Sequence, residues 1–537
     1  IAGMVEVTSQ NFEEKLPEID LDLRDASFTC LDFEFSGLHT NRCPSISLFD
    51  SPQERYSTLR ESVKDFTVLQ CGLSVFKYEK ISRIYHCKTY NFWIFPRANE
   101  WISRQTQFES SACEFLMKFD FDFNKCFYGG IPYLNEEEID TVQEQLTKNH
   151  EFVKDIVLND IKLSFRKRKL DLLAKWVYDS RPGETIEIDC MSGGMCDVLL
   201  TDINQKYEDL IAEKPKGESC LLVVKKGTPE ELSRRSHRKK EALDEKFEKA
   251  IGFTHVIRLI KKHRKPMVGH NLLMDLLFIH EKFHKPLPES FLEFKENMHD
   301  QFPSIFDTRH IISNIKVELR KDEKYKEVFR GSSLLSLYEE CKGLNVKGLL
   351  YQPLILDNLG EECGMREHNA GYDSYLVGYV FLRLAHFYAL WKYNSPSVKP
   401  FHFQDYLREF SKFENSLNLI RSALSHISLS KEDPENKRPQ WLLVSERNKS
   451  KIDEAHVKCV LSAFGDVSVK MIGPHSCLVA MPSIGMAAGL LVEMHNHSKY
   501  KVIRYEPSKS WVNEYFGLVA FGSLGLFAGY LFFRLRS

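Results

Sequence analysis

The run Leu31-Asp32-Phe33-Glu34-Phe35-Ser36-Gly37 places two carboxylates two residues apart inside an apolar, aromatic-rich stretch, FTCLDFEF. Such a stretch reads as a β-strand, and the period-two geometry of a strand puts Asp32 and Glu34 on one face. Side by side on a central strand, two like charges repel and lose hydration. The pair persists only with compensation, supplied most economically by divalent cations. On the motif alone, an exposed edge carrying two solvated acids is the competing reading.

A third acid, Asp275, lies inside the apolar helical run of VGHNLLMDLL, where a solvated aspartate would sit on a polar face instead. Further on, in Glu367-His368-Asn369-Ala370-Gly371-Tyr372-Asp373, the histidine stands five residues before a fourth acid. Five helical residues turn about 500°, so the two side chains converge most easily if His368 lies in the loop before the helix that Asp373 begins. Asn369 and Gly371 favour such a non-helical entry. Alternating strand-like and helical segments run from about residue 28 to 135 and resume at about 250, the signature of a mixed α/β fold.

The order D-x-E, D, H-x4-D resembles the DEDDh pattern of 3′-to-5′ exonucleases. That resemblance implies two-metal phosphoryl transfer, in which hard Mg²⁺ ions, or Mn²⁺ in their place, take oxygen ligands. In this scheme Asp32 bridges both ions, Glu34 and Asp373 complete the first site and Asp275 serves the second. His368 takes the proton of the attacking water, as neutral imidazole can near pH 7. Asn369 stands four before Asp373, where the tyrosine variant of the pattern carries Tyr.

The segments LDFEFSGL, FDFNKCFYGGIPYLNEEE, IGFTHVIRLI, KPMVGHNLLMDLL, FPSIFDT and HNAGYDSYLVG, in this order, resemble the poly(A)-specific ribonuclease family over nearly the whole chain before its tail. Within that family the hydrophobic run at 516–533 resembles the tail of its PARN-like domain-containing branch. The resemblance implies an α/β, RNase H-like exonuclease core in two parts, 4–149 and 226–427. Between them, residues 150–225 correspond to a small inserted nucleic-acid-binding domain of the Arg-x3-His class. Four residues after Arg168 stands Leu172, with no histidine nearby, so the fold is expected to persist better than its binding. After a linker at 428–439, residues 440–506 resemble a degenerate RRM whose sheet lacks base-stacking aromatics except Trp441; packing or homodimer formation is its expected role. Phe35 and Leu38 are expected to pack against the terminal bases or sugars.

Residues 516–533, FGLVAFGSLGLFAGYLFF, carry no charge and are followed at once by Arg534 and Arg536. At about 1.5 Å per residue such a run spans a thin bilayer, so 515–534 is expected to be a transmembrane tail anchor. Its modest hydrophobicity and basic end suit the mitochondrial outer membrane, with the endoplasmic reticulum as the alternative and the remaining chain facing the cytosol. The 73 basic and 75 acidic residues balance to a net charge of −2, which excludes a histone-like binder acting through a global field. Thirteen scattered cysteines contain no CxxC pair, so reduced structural thiols are expected rather than a zinc site.

The branch resemblance implies trimming of the single-stranded 3′ ends of piRNA precursors bound to Piwi or Argonaute proteins. It also implies a Tudor-domain scaffold on the same membrane. Two competing readings are a deadenylase acting on poly(A) and an inactive membrane-tethered RNA-binding scaffold. The intact five-residue constellation weighs against the scaffold.

Overall fold

Phe28–Phe35 forms a strand near the middle of a seven-stranded sheet in the computed structural model. The structure describes residues 3–505 apart from 41–45, 100, 148–159, 345–351, 360–366, 394–399, 421, 423, 435–440, 449, 466 and 483. Across the sheet the strands run Val5–Val7, Ile84–Trp93, Val68–Glu79, Phe28–Phe35, Met267–Gly269 and Ile305–Asp307, and Ile355–Leu356 pairs with Ile84–Trp93. Val68–Glu79 is antiparallel to both neighbours, while every other pairing is parallel. Starting from Phe28–Phe35, five strands taken in chain order therefore stand 3-2-1-4-5 with the second reversed. This is the RNase H-like plan that the sequence led us to expect.

The alternation of the central strand decides where its acids point. Leu31 and Phe33 enter the core on one face, while Phe28 and Cys30 enter the core on the other. Asp32 and Glu34 continue the second face beyond its apolar core. That face is covered by the helix Ala370–Tyr393, in which every residue from Ala370 to Leu390 except Asp373 is buried. A helix apolar nearly all round has no solvated side and must be enclosed. Its first turn thus brings Asp373 to the end of the strand where the acids emerge.

Gly72 makes this approach feasible. It lies opposite Asp32 in the antiparallel ladder, and a Cβ there would fall 1.8 Å from the Ala370 carbonyl oxygen. Gly72→Ala should displace the start of the helix, costing about 1–3 kcal/mol of stability by overpacking, and should reduce activity by shifting Asp373. Thermal denaturation with a parallel rate measurement checks this, and unchanged values for both would contradict it.

A three-stranded antiparallel sheet, Thr185–Asp189, Leu221–Lys226 and Leu210–Glu213, packs with the helices Asp160–Asp179 and Gly193–Lys206 around its own core of Leu173, Ile188, Leu199 and Val224. The charged stretch that follows is one helix, Pro229–Ile251, opened by a Thr228/Glu231 capping box. Its last turn re-enters the nuclease side through Phe247, Ala250 and Ile251. Towards the C-terminus, Leu442–Glu446, Glu454–Leu461, Ser468–Gly473, Ser476–Ala480, Ile484–Glu493 and Tyr500–Arg504 form a βαββαβ unit with a four-stranded antiparallel sheet. Trp441 precedes its first strand and stacks on Tyr505. This unit touches the nuclease side: the Leu48 N–H donates to Ser468 Oγ at 2.9 Å, and Phe49 meets Trp441 edge to face.

The cysteines among the described residues are free thiols. Residues 516–533 lie outside the described residues, and no described helix is long and apolar enough to cross a membrane.

Candidate active site

The five residues singled out in the sequence arrive on four devices. Asp32 and Glu34 come from the end of the central strand. Asp275 is buried in the first turn of the helix Leu273–Phe283, and the Phe33 backbone N–H, between the two strand acids, hydrogen-bonds to its carboxylate. Asp373 sits in the first turn of Ala370–Tyr393. His368 lies in the loop before that helix with φ of 59°, a left-handed conformation uncommon for a side-chain-bearing residue. Its backbone N–H donates to Asp373 Oδ2 at 3.0 Å, which ties loop to helix. The helix start is held further by Gln70 Oε1, accepting from Ala370 N–H at 2.9 Å, and by Asn369 Oδ1, accepting from Tyr372 N–H at 3.2 Å.

The five groups converge. Glu34, His368 and Asp373 each offer a ligand atom within 4.8 Å of the others. Burial, then the charges of Asp373, Glu34 and Asp275, pushes the Asp32 carboxyl far above the ordinary range. Burial, then Asp373 and Asp275, does the same to Glu34. Burial also raises Asp275 to about 8 and Asp373 to about 7. Among the described residues no Lys or Arg forms an ion pair with any of the four. Four crowded carboxylates that offer only oxygen donors suit hard divalent cations.

These shifts give a signed pH dependence. Carboxyls whose folded pKa exceeds the unfolded value contribute stability that is complete below the unfolded carboxylate range and is lost as pH rises through the folded values. Protein stripped of divalent cations should therefore lose stability between about pH 6 and 9. Mg²⁺ should restore it, by about 2.7 kcal/mol at a hundredfold excess over Kd. Melting curves with chelator and with Mg²⁺ check this; a chelated protein equally stable at both ends of the range would contradict it.

His368 is clamped edge-on by Phe115 and Phe119, whose ring centroids lie 4.5 and 4.2 Å from its own. Burial lowers its pKa against the opposing charge of Glu367, which keeps the imidazole neutral and able to accept a proton. Beyond it opens a polar cavity of about 290 Å³ between Gln70, Trp93, Asp122 and Asn369. Phe35 stacks on Phe278 of the Asp275 helix at 4.1 Å, and Leu38 is surface-exposed with its N–H held by Glu109 Oε2 at 2.9 Å.

Sequence reasoning did not single out Gln70, Gly72, Phe115, Phe119 or Asp307. Of these only Asp307 left a signal, an acid among the apolar residues of FPSIFDT.

Comparison with known proteins places these residues in a matched region. The model of a family described as CAF1 family ribonuclease matches residues 7–381, a span that includes all five. The pre-piRNA 3′-exonuclease trimmer of Bombyx mori is 30% identical over 536 residues, covering 97% of this chain and 98% of that protein. The poly(A)-specific ribonuclease PNLDC1 of Mus musculus is 30% identical, covering 94% of each chain. The poly(A)-specific ribonuclease PARN of Xenopus laevis is 29% identical, covering 89% of this chain and 77% of its own.

Proposed function

This chain belongs to the CAF1 family of ribonucleases and is a 3′-to-5′ exoribonuclease, and on that premise we propose that it trims the 3′ ends of piRNA precursors held by Piwi proteins. The observation that carries the chemistry is the convergence of four carboxylates and one histidine. The near full-length likeness to the Bombyx mori enzyme supports the substrate.

In this reading Asp32, Glu34, Asp275 and Asp373 would hold two Mg²⁺ ions, Glu34 and Asp373 on one and Asp275 on the other, with Asp32 serving both. When bound, such ions supply positive charge to the attacking and leaving oxygens of the phosphodiester. His368 takes the proton from the water whose oxygen bonds to phosphorus as the P–O3′ bond breaks; the 3′ oxygen stays on the shortened RNA and takes a proton from solvent, and a 5′-nucleoside monophosphate departs. Phe35 and Leu38 border the terminal nucleotide.

The inserted unit lacks the histidine of its Arg-x3-His pair and the sheet of the RRM-like unit lacks base-stacking aromatics apart from Trp441, so weak binding of free RNA is expected. A tail anchor at 515–534 in the mitochondrial outer membrane and a Tudor-domain scaffold there would raise local substrate concentration. Such linkage adds about 10²- to 10⁴-fold in apparent affinity.

Deadenylation is the second reading, favoured by the name of the Mus musculus relative at equal identity. A panel of free mixed-sequence RNA, oligo(A)-tailed RNA and Piwi-bound precursor separates the two readings, with the enzyme supplied on membranes carrying scaffold or truncated after residue 514. Fastest trimming of Piwi-bound precursor on membranes supports the first reading. A dominant preference for oligo(A) supports the second, and no Mg²⁺-dependent hydrolysis of any substrate would sink both.

A further inference from the structure

The geometry points to Asp307 as a positioning residue that sets Asp275 in its place in the active site, an inference that rests on the reading of that site given above. Asp307 ends the strand Ile305–Asp307 next to Met267–Gly269, is fully buried, and is not one of the converging acids. Its carboxylate gathers backbone donors from three separate segments. Oδ1 accepts from Asn271 N–H at 2.8 Å, Arg309 N–H at 2.9 Å and His310 N–H at 3.4 Å. Oδ2 accepts from Leu272 N–H at 3.3 Å and Asn418 N–H at 2.9 Å.

Two of these donors matter for Asp275. Leu272 is the residue from which the helix Leu273–Phe283 starts, so holding its N–H and that of Asn271 fixes the first turn, where Asp275 sits. Asn271 has φ of 64°, a left-handed conformation that Asn tolerates and that its anchored backbone N–H holds in place. Asn418 completes that support, because its Nδ2 donates to Asn271 Oδ1 at 3.0 Å while its own N–H is bound to Asp307. Asp307 therefore joins the turn before the catalytic helix, the start of the helix Thr308–Leu319 and the strand Ser416–Asn418. Without it, the turn loses both backbone anchors at Asn271 and Leu272 and keeps the Thr308 contacts of Gly269 and His270 and the Asn418 side chain, so Asp275 is free to leave the geometry that the strand acids require.

The test reads cation binding directly. In Mn²⁺ titrations followed by electron paramagnetic resonance, Asp307→Ala should weaken Mn²⁺ binding by about 10- to 100-fold, the scale of lost support around a metal ligand. At saturating Mn²⁺, kcat should remain depressed with KM for RNA unchanged. Asp307→Asn keeps one acceptor oxygen but turns an amide donor towards donors, so it should fall between wild type and Ala. It decides the matter if the Ala variant does not fold. Ile311→Ala, which opens a cavity on the apolar face of the helix that Asp307 caps without removing any of Asp307's hydrogen bonds, should lower the melting temperature without changing Mn²⁺ affinity. Folded Asp307 variants with wild-type Mn²⁺ binding, or an equal loss in Ile311→Ala, would overturn the inference. Wild-type protein that binds no Mn²⁺ would overturn the active-site reading and this inference with it.

Discussion

Asp32→Ala is expected to remove 3′ trimming almost completely while leaving the fold intact. Asp32 sits among the other three acids, and their charges raise its carboxyl after burial itself. In the proposed two-cation arrangement its loss would remove the one group assigned to both positions. If the cations supply several kcal/mol of transition-state stabilisation, the rate should fall by about 10³-fold or more. The same substitution relieves repulsion among the remaining acids. Chelated Asp32→Ala protein should therefore melt above chelated wild type at alkaline pH, the usual opposition between a strained site and stability. Loss of activity combined with a gain in cation-free stability is a signature that simple misfolding cannot mimic. Wild-type rates in the folded variant would end the two-cation assignment.

The second large effect belongs to His368. Removing a general base costs about 10²- to 10⁴-fold. Because His368 occupies a left-handed backbone position, His368→Asn is the cleaner variant, since Asn tolerates that conformation and Ala does not. Both should lose rate by about 10²-fold or more, with partial recovery at high pH as hydroxide replaces the missing base. In wild type, burial lowers the imidazole pKa, so the neutral form extends further into acid than for a free histidine. The acid limb that His368 contributes to the rate profile should fall below about pH 6.5 and vanish in both variants. An Asn variant with the wild-type rate and profile would move the base elsewhere.

The aromatic clamp on His368 shows how unevenly the site was written into the chain. Asp32 and Glu34 were legible because a strand alternates, and one apolar stretch sufficed to place both on a common face. His368 and Asp373 were legible because a loop followed by a helix start is a local event, marked by Asn369 and Gly371. Phe115 and Phe119 carried no such mark. They lie on or beside the helix Ser110–Lys118, and nothing in their spacing tells that this segment folds back onto a loop 250 residues later.

What the sequence determined by itself was the central strand with its paired acids and the loop-to-helix placement of His368 and Asp373. Each is set by periodicity or by turn chemistry within a dozen or so residues. The tertiary structure decided which distant groups hold these pieces in register. Gln70 binds the helix start 300 residues away, and Asp307 binds a strand 111 residues away. Gly72 matters only because the Ala370 carbonyl comes to rest against it. Hydrogen-bond pairing between remote segments depends on how the sheet orders its strands and which face each helix covers. A single chain of letters records local geometry strongly and such long-range meetings hardly at all.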